Sequence, residues 1–391
     1  MSTDTASTLR PNDLGEALEA ILDAAGALLF TGGGTKLGWG TDPTGVDVVI
    51  ETTAMTDLLS YDAADATVAV QAGMPLAQLQ ATLAEHDQWL AIDPPHVADG
   101  ATVGGVFATN DAGPRRLAHG TVRDLVIGAT YVLADGAVGR TGGFVIKNVA
   151  GYDMAKLLCG SLGTLALVAE LVLRVDPRPQ ASVTLGIPAD AATAARIGVA
   201  LGGAPVEPVA VEWADDTVWL QFAGHPDAVR AQADATVALL RRQVAADLEA
   251  DEVEDADAVW RRLTDGLAGA DGQTVVRGAC LPTQLPDAAQ GCVDAAGHAG
   301  VDVEIQAHVL VGVLTARVVG DPGGHAAFVD AWRARLSQLG GHAMVRRTAA
   351  KAAGGVDVWG SPPSAMGLMR QVKQQLDPDG RCAPGRFVGG M

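Results

Sequence analysis

The stretch ATVGGVFATNDAG (residues 101–113) continues through HGTVRDLVIG (119–128) and TGGFVIKNVAGYDMAKLLCGSLGTLAL (141–167). Glycine recurs along it, at Gly104, Gly105, Gly113, Gly120, Gly128, Gly142, Gly143, Gly151, Gly160 and Gly163. Because glycine has no Cβ, many backbone amides in this stretch can approach a ligand closely. The pattern therefore predicts a ligand-binding face, since such a density of glycine is not typical of a packed core.

A second glycine-rich loop, TGGGTK (31–36), follows a short apolar strand predicted at GALLF (26–30). The residues after it, LGWGTDPTG (37–45), do not form the helix that a Rossmann dinucleotide site requires. A P-loop is also disfavoured, because Lys36 follows Thr35 and precedes Leu37. Two interpretations remain for Gly32, Gly33, Gly34 and Thr35: an ordinary turn, or a nest of N–H groups that holds a diphosphate.

The chain has 391 residues, which exceeds the usual size of a single hydrophobic core and favours two domains. Strand and helix patterns predict an α+β fold. We expect a first domain over 1–178, because Pro177 and Pro179 interrupt regular structure in DPRPQ (176–180). A second domain over 179–355 is predicted as an antiparallel sheet with helices on one face. The segment 356–391 should contain a helix that stops at Asp377-Pro378.

The formal net charge is −19, which argues against nucleic acid or an anionic membrane as a partner. Much of the excess negative charge lies in ADLEADEVEDADAVW (246–260), which we interpret as a solvated loop or helix face. The amino terminus lacks a signal-peptide pattern, and no apolar run reaches about 18 residues, so we expect a cytoplasmic protein without membrane insertion. Four scattered cysteines without a CxxC pair predict neither zinc nor iron-sulfur ligation.

Five motifs together resemble the vanillyl-alcohol oxidase type of FAD-binding oxidoreductase. They are TGGGTK (31–36), ATVGGVFATNDAG (101–113), HGTVRDLVIG (119–128), KNVAGYDMAKLLCGSLGTLA (147–166) and DPDGRCAPGRF (377–387). GSLG (160–163) and DVWG (357–360) make the glycolate oxidase, or glycolate dehydrogenase, subunits the nearest branch. The resemblance implies a two-part FAD-binding domain, an α+β cap domain, and a C-terminal segment that returns to the FAD domain.

The resemblance also implies which residues hold FAD, and it implies non-covalent binding because the first loop lacks the histidine of covalently flavinylated relatives. Lys147 is expected near the isoalloxazine ring, with Asn148, Tyr152, Asp153 and Lys156, although Asn148 and Asp153 equally suit helix capping. His96 is interpreted as a turn residue rather than a flavin contact. The other implied cofactor-binding residues are Gly32, Gly33, Gly34, Thr35, Thr102, Gly104, Gly105, Ala108, Asn110, Gly113, Gly163, Thr164 and Val168.

Catalytic relatives in the D-2-hydroxyacid branch carry a GHxGDGNxH stretch whose histidines bind a metal. The corresponding stretch here, QAHVLVGVLTARV (306–318), offers only His308, so no metal site is predicted. The catalytic residue is therefore unknown; His308 and His342 are candidate bases, and Lys351 is a candidate carboxylate ligand.

The resemblance implies a small hydroxy acid as substrate, with a homologous catalytic flavoprotein subunit and an iron-sulfur subunit as partners. Two alternatives remain open. One is a stand-alone FAD dehydrogenase of another hydroxy acid or alcohol, and the other is a non-catalytic scaffold that has lost FAD.

Overall fold

The computed structural model describes residues 6–145, 151–349 and 355–391. Within these ranges, no helix combines the length and apolar character that crossing a membrane requires. The helices and strands are, in chain order, β1 (Ser7–Leu9), α1 (Leu14–Asp23), β2 (Ala27–Thr31), β3 (Val46–Glu51), β4 (Leu58–Asp62), β5 (Thr67–Gln71), α2 (Leu76–Ala84), β6 (Gln88–Trp89), α3 (Val103–Thr109), α4 (Arg116–His119), α5 (Val122–Leu125), β7 (Val126–Val132), β8 (Val138–Gly142), α6 (Met154–Leu158), β9 (Leu167–Arg174), β10 (Asp176–Pro177), β11 (Ala181–Pro188), α7 (Ala191–Gly202), β12 (Ala210–Ala214), β13 (Thr217–Gly224), α8 (Pro226–Gln243), β14 (Asp251–Glu252), α9 (Ala256–Gly266), β15 (Thr274–Ala279), α10 (Leu285–Ala299), β16 (Asp302–His308), β17 (Val313–Val319), α11 (Pro322–Gln338), β18 (His342–Arg347) and α12 (Met366–Leu376).

The chain forms two compact units. The first contains the residues up to Ala112, Gly120–Arg178 and Ser361–Met391, and the second contains Gly113–His119 and Pro179–Gly360. The mixed α+β architecture that the sequence predicts is confirmed in both units.

In the first unit, the described strands form a parallel sheet, β1-β3-β2, an antiparallel sheet, β4-β5-β9-β7-β8, and a short antiparallel pair, β10-β6. A hairpin at Asp135-Gly136 joins β7 to β8; the Asp135 carboxylate accepts from the N–H of Ala137 at 2.9 Å, and Gly136 has a φ of +86°. Helix α3 packs Val106 and Phe107, both fully buried, into the core beside these strands. Its first turn therefore lies at a fixed position relative to β5 and β9.

The C-terminal segment packs on the first unit, as the resemblance implies. The N–H of Ala383 donates to the Leu28 carbonyl at 2.7 Å, and the Leu28 N–H donates to the Arg381 carbonyl at 2.7 Å, which extends β2 by a short parallel pairing. The Arg381 guanidinium also donates to the carbonyls of Gly26 and Ala134. Residues near both ends of the chain thus belong to one folded body.

In the second unit, the described strands form one antiparallel sheet in the order β14-β11-β13-β12-β16-β17-β15-β18. Helices α7, α8, α10 and α11 cover one face, and Trp332 and Phe328 of α11 are completely buried in the core there. Prolines in the first turn of α8, α10 and α11 suit helix starts, where an N–H has no intrahelical partner.

The prediction that helices cover only one face of this sheet is wrong for α9. Trp260 and Leu263 of α9 pack against Ala210 and Ala214 of β12, whereas the neighbouring Trp213 faces the core on the other side. All five residues of β12 are buried. A strand buried on both faces needs a cover on each, because alternate side chains point in opposite directions.

Candidate functional site

A cleft of ≈ 760 Å³, counted with its solvent-open part, lies in the first unit. Three segments form most of its wall: the loop after β2, the start of α3, and the turn before β9. The lining residues are Phe30, Thr31, Gly32, Gly33, Gly34, Thr35, Lys36, Leu37, Thr52, Ala72, Thr102, Gly104, Gly105, Ala108, Thr109, Leu158, Ser161, Leu162, Gly163, Ala166, Leu167, Val168 and Arg386.

The loop after β2 passes so close to residues 100–102 that only glycine fits. A Cβ on Gly32 would lie 2.2 Å from the Thr102 hydroxyl oxygen, and a Cβ on Gly33 would lie 2.1 Å from the Gly100 carbonyl oxygen. Among the described residues, none accepts a hydrogen bond from the backbone N–H of Gly33, Gly34 or Thr35. Successive N–H groups without acceptors are the donors that an anion nest requires.

The start of α3 contributes a smooth surface and few free donors. The Thr102 side chain caps the helix by accepting from the Gly105 N–H at 3.1 Å, and the Gly104 N–H donates to the Ala72 carbonyl at 2.7 Å. A Cβ on Gly104 would lie 2.7 Å from Ala72. Gly104 therefore permits α3 to pack closely against the backbone of Ala72 at the cleft wall.

The turn CGSLGT (159–164) closes the cleft against the end of α3. The Leu162 N–H donates to the Ala108 carbonyl at 2.8 Å, and the Gly160 N–H donates to the Phe107 carbonyl at 3.0 Å. Leu162 adopts a φ of +55°, and Gly163 adopts +73°. A left-handed conformation costs a leucine about 1 to 2 kcal/mol, which the two hydrogen bonds to α3 offset.

Most of the cofactor residues implied by the resemblance meet in this cleft. Asn110 is instead the left-handed residue that ends α3, and Thr164 is buried with its hydroxyl donating to the Ser161 carbonyl at 2.7 Å. Gly113 belongs to the second unit, and Lys147 and Asn148 lie outside the described residues. The implied residues that line the cleft are Gly32, Gly33, Gly34, Thr35, Thr102, Gly104, Gly105, Ala108, Gly163 and Val168.

Two cationic side chains in the cleft wall were not assigned from the sequence. The Lys36 side chain is 5% exposed, and its Nζ lies 3.6 Å from the fully buried Asp111 carboxylate. Arg386, from the C-terminal segment, is 4% exposed and donates to the Leu37 carbonyl at 3.1 Å. Burial lowers the pKa of this guanidinium, against the opposing effect of nearby Asp42. The sequence offered a signal for Lys36, because a lysine directly follows the glycine loop. It offered no such signal for Arg386.

The polar residues near α5 and α6 have structural partners. The Asp124 carboxylate accepts from the Thr121 N–H at 2.9 Å and so caps α5, and the Asp153 carboxylate caps α6. Lys156 donates to the Arg123 carbonyl, and the Tyr152 side chain is exposed. His96 occupies a turn with a φ of +69°, 2.9 Å from the Asp99 carboxylate.

The candidate bases of the second unit are separated within its sheet. His308 on β16 is buried with its Nδ1 2.5 Å from the Glu212 carboxylate, which also accepts from Gln306 at 3.0 Å. His342 is exposed at the start of β18, with β17 and β15 lying between the two strands. Lys351 lies outside the described residues. In the described ranges, no group of three or more His, Cys, Asp or Glu is arranged to hold a metal ion.

Comparison with known families agrees with the cleft. Residues 9–152 match the FAD binding domain, and residues 361–387 match the C-terminal domain of FAD linked oxidases. The first unit is therefore an FAD-binding domain, and the cofactor predicted from the sequence, FAD, is confirmed. The glycines without room for a Cβ and the free N–H groups of the first loop fit this cofactor, whose diphosphate needs amide donors and little side-chain bulk.

Two curated proteins share this part of the chain. The glycolate oxidase subunit GlcE of Escherichia coli is 37% identical over 182 residues, which cover 45% of this chain and 51% of that protein. A D-lactate dehydrogenase of Archaeoglobus fulgidus is 39% identical over 177 residues, covering 44% and 39% respectively. The chain thus spans about half or less of the length of these relatives. The resemblance to FAD-binding oxidoreductases of the glycolate oxidase type is confirmed.

The fold is also found in a solved structure. Alkyldihydroxyacetonephosphate synthase superposes with a TM-score of 0.72 over 97% of this chain and 77% of that chain, at 16% sequence identity. This similarity establishes a shared vanillyl-alcohol oxidase type fold.

Proposed function

We propose that this chain is the FAD-carrying subunit of a glycolate oxidase or glycolate dehydrogenase complex, which oxidises glycolate to glyoxylate. The observation that carries the proposal is the glycine-lined cleft in a domain that matches FAD binding domains. When bound, FAD supplies a redox group that can accept and pass on two electrons. Similarity to GlcE supports glycolate as the substrate of the complex.

The residues of this chain would hold the cofactor and leave its surroundings free of large side chains. The N–H groups of Gly33, Gly34 and Thr35 would donate to the diphosphate. Gly104 and Gly105 would let the backbone of α3 lie against the cofactor, and Leu162, Gly163 and Val168 would close the apolar side of the cleft.

A helper role is proposed because residues 306–318 differ from the stretch that binds the metal in catalytic relatives. QAHVLVGVLTARV (306–318) has one histidine where catalytic relatives have a GHxGDGNxH stretch. That histidine, His308, and its neighbour Gln306 both bond to Glu212, so the three side chains satisfy one another inside the second unit. We therefore propose a homologous flavoprotein subunit as the catalytic partner and an iron-sulfur subunit as the electron acceptor. The complex would work in the cytoplasm, peripheral to the inner membrane through its partners.

A stand-alone dehydrogenase of another hydroxy acid is the alternative that similarity to D-lactate dehydrogenase favours. In that case His308, oriented by Glu212, would be the first candidate base. A scaffold that has lost FAD is disfavoured, because the cleft retains its glycines.

The test is a spectrum followed by a reductive titration of the purified chain. We expect flavin bands near about 370 and 450 nm, one FAD per chain, and no sustained dye reduction with glycolate. Addition of the catalytic and iron-sulfur subunits should then give glycolate-dependent dye reduction. Robust turnover by the isolated chain would replace the helper role with the stand-alone enzyme. A colourless protein that cannot be reconstituted with FAD would indicate the scaffold.

A further inference from the structure

Two cations from distant parts of the sequence meet in the wall of the FAD cleft. Lys36 ends the glycine loop after β2, and Arg386 lies in the C-terminal segment that packs against the same strand. Both side chains line the cleft and both are more than nine-tenths buried. Buried cations in a ligand cleft carry a desolvation cost, which an anionic ligand can offset.

The position of Arg386 is fixed by its own backbone and by the loop it contacts. Its carbonyl accepts from the Thr41 N–H at 3.0 Å, and its N–H donates to the Ala383 carbonyl at 3.1 Å. Its guanidinium donates to the Leu37 carbonyl, one residue beyond Lys36. The C-terminal segment is thereby tied directly to the loop that lines the cleft.

The carboxylates near these cations lie outside the cleft wall. Asp111 is beside Lys36 and Asp42 is near Arg386, yet neither carboxylate belongs to the lining residues. The two cationic residues therefore line the cleft, whereas the two acidic residues do not. An anion that enters the cleft meets positive charge and free N–H groups together, which is the arrangement that diphosphate recognition uses.

We propose that Arg386, with Lys36, is a cofactor-binding residue that pairs with the anionic diphosphate of FAD, so that the C-terminal segment completes the cofactor site. The inference rests on the proposed function only in taking FAD as the ligand. If Arg386 only holds the loop 37–41 in place, its replacement should change the affinity for every flavin equally. An arginine that pairs with phosphate distinguishes ligands that carry phosphate from those that do not.

The experiment measures flavin affinity of apoprotein by fluorescence, with FAD and riboflavin as probes at low and high salt. Arg386→Met should weaken FAD binding by about tenfold or more, change riboflavin binding by less than about twofold, and reduce the salt dependence of FAD affinity. Arg386→Lys should recover part of the FAD affinity because it restores the charge. Lys36→Met should show the same selectivity. Arg370→Met, which removes an exposed cation of α12, is the matched control and should bind as the wild type does.

The outcomes separate this inference from the proposed function. Equal weakening of FAD and riboflavin in Arg386→Met, or an unchanged salt dependence, would overturn the inference and leave an FAD protein. Wild-type protein that binds FAD but is inactive in the reconstituted complex would overturn the function and leave the inference. Circular dichroism of each apoprotein checks folding. If Arg386→Met does not fold, the test compares Arg386→Lys with Arg386→Gln, and the inference requires Arg386→Lys to bind FAD more tightly.

Discussion

The shape of the cleft depends on three glycines that have no room for a Cβ atom. Gly32, Gly33 and Gly104 each occupy positions where a Cβ would lie less than 3 Å from neighbouring atoms, and at Gly33 the neighbour is a backbone carbonyl that cannot rotate away. The glycine pattern in the sequence predicts these residues as a group. It did not show which of them contact a ligand and which merely allow two chain segments to approach.

Gly33→Ala should lower both stability and FAD retention. Its Cβ would lie 2.1 Å from the Gly100 carbonyl oxygen, so the loop must move, at a cost of about 1 to 3 kcal/mol in the free energy of unfolding. Gly38→Ala is the control in the same loop, because nothing lies within 4 Å of a Cβ there. Flavin content after purification and urea denaturation measure the two effects. Equal flavin content in both variants would show that the loop does not shape the site.

The thiols should be unreactive in the folded protein. Burial raises the pKa of Cys159 and of Cys382 to about 12, and that of Cys280 to about 11. Since an unfolded thiol ionises near about pH 8.5, the thiols contribute stability that is complete below that pH and is lost as pH rises through 11 to 12. We expect slow labelling by a disulfide reagent at pH 8 and a fall in unfolding free energy at alkaline pH. Prompt labelling of folded protein would contradict this.

At the scale of elements, Lys373 links α12 to the turn before β9. Its Nζ donates to the Thr164 carbonyl at 2.7 Å, to the Asp377 carboxylate at 2.5 Å and to the Cys382 carbonyl at 3.0 Å. The helix α12 was predictable from its periodicity and its stop at Asp377-Pro378. The partner of Lys373 was not, because Thr164 is remote in the sequence and carbonyl groups carry no sequence signal.

Lys373→Met should destabilise the first unit by about 3 to 5 kcal/mol, because it leaves the buried Asp377 carboxylate without its cation. FAD affinity should fall as well, since the turn that closes the cleft loses its anchor. Gln375→Ala, an exposed position on the same helix, is the control. Urea denaturation followed by fluorescence measures the difference. A change below about 1 kcal/mol, as for an exposed ion pair, would show that the contact is not structural.

At the scale of the whole molecule, the net charge of −19 affects which partners can bind more than it affects the fold. Like charges repel nucleic acid across the surface, while the cations of the FAD cleft are buried and do not form a basic patch. We expect no binding of a duplex DNA at physiological salt in a fluorescence anisotropy titration, while FAD binds the same sample. A dissociation constant in the micromolar range, near non-specific affinities of about 10⁻⁴ to 10⁻⁶ M, would contradict this expectation.

The sequence by itself determined the cofactor class, the α+β architecture and the glycine-rich segments of the cleft, because these depend on local backbone geometry that glycine, proline and periodic apolar residues encode. Only the tertiary structure brought Lys36 and Arg386 to one wall, placed α9 on the second face of its sheet, and paired His308 with Glu212. These are contacts between residues far apart in the chain. Their energies depend on burial and on the neutralisation of charge, which are properties of the folded molecule.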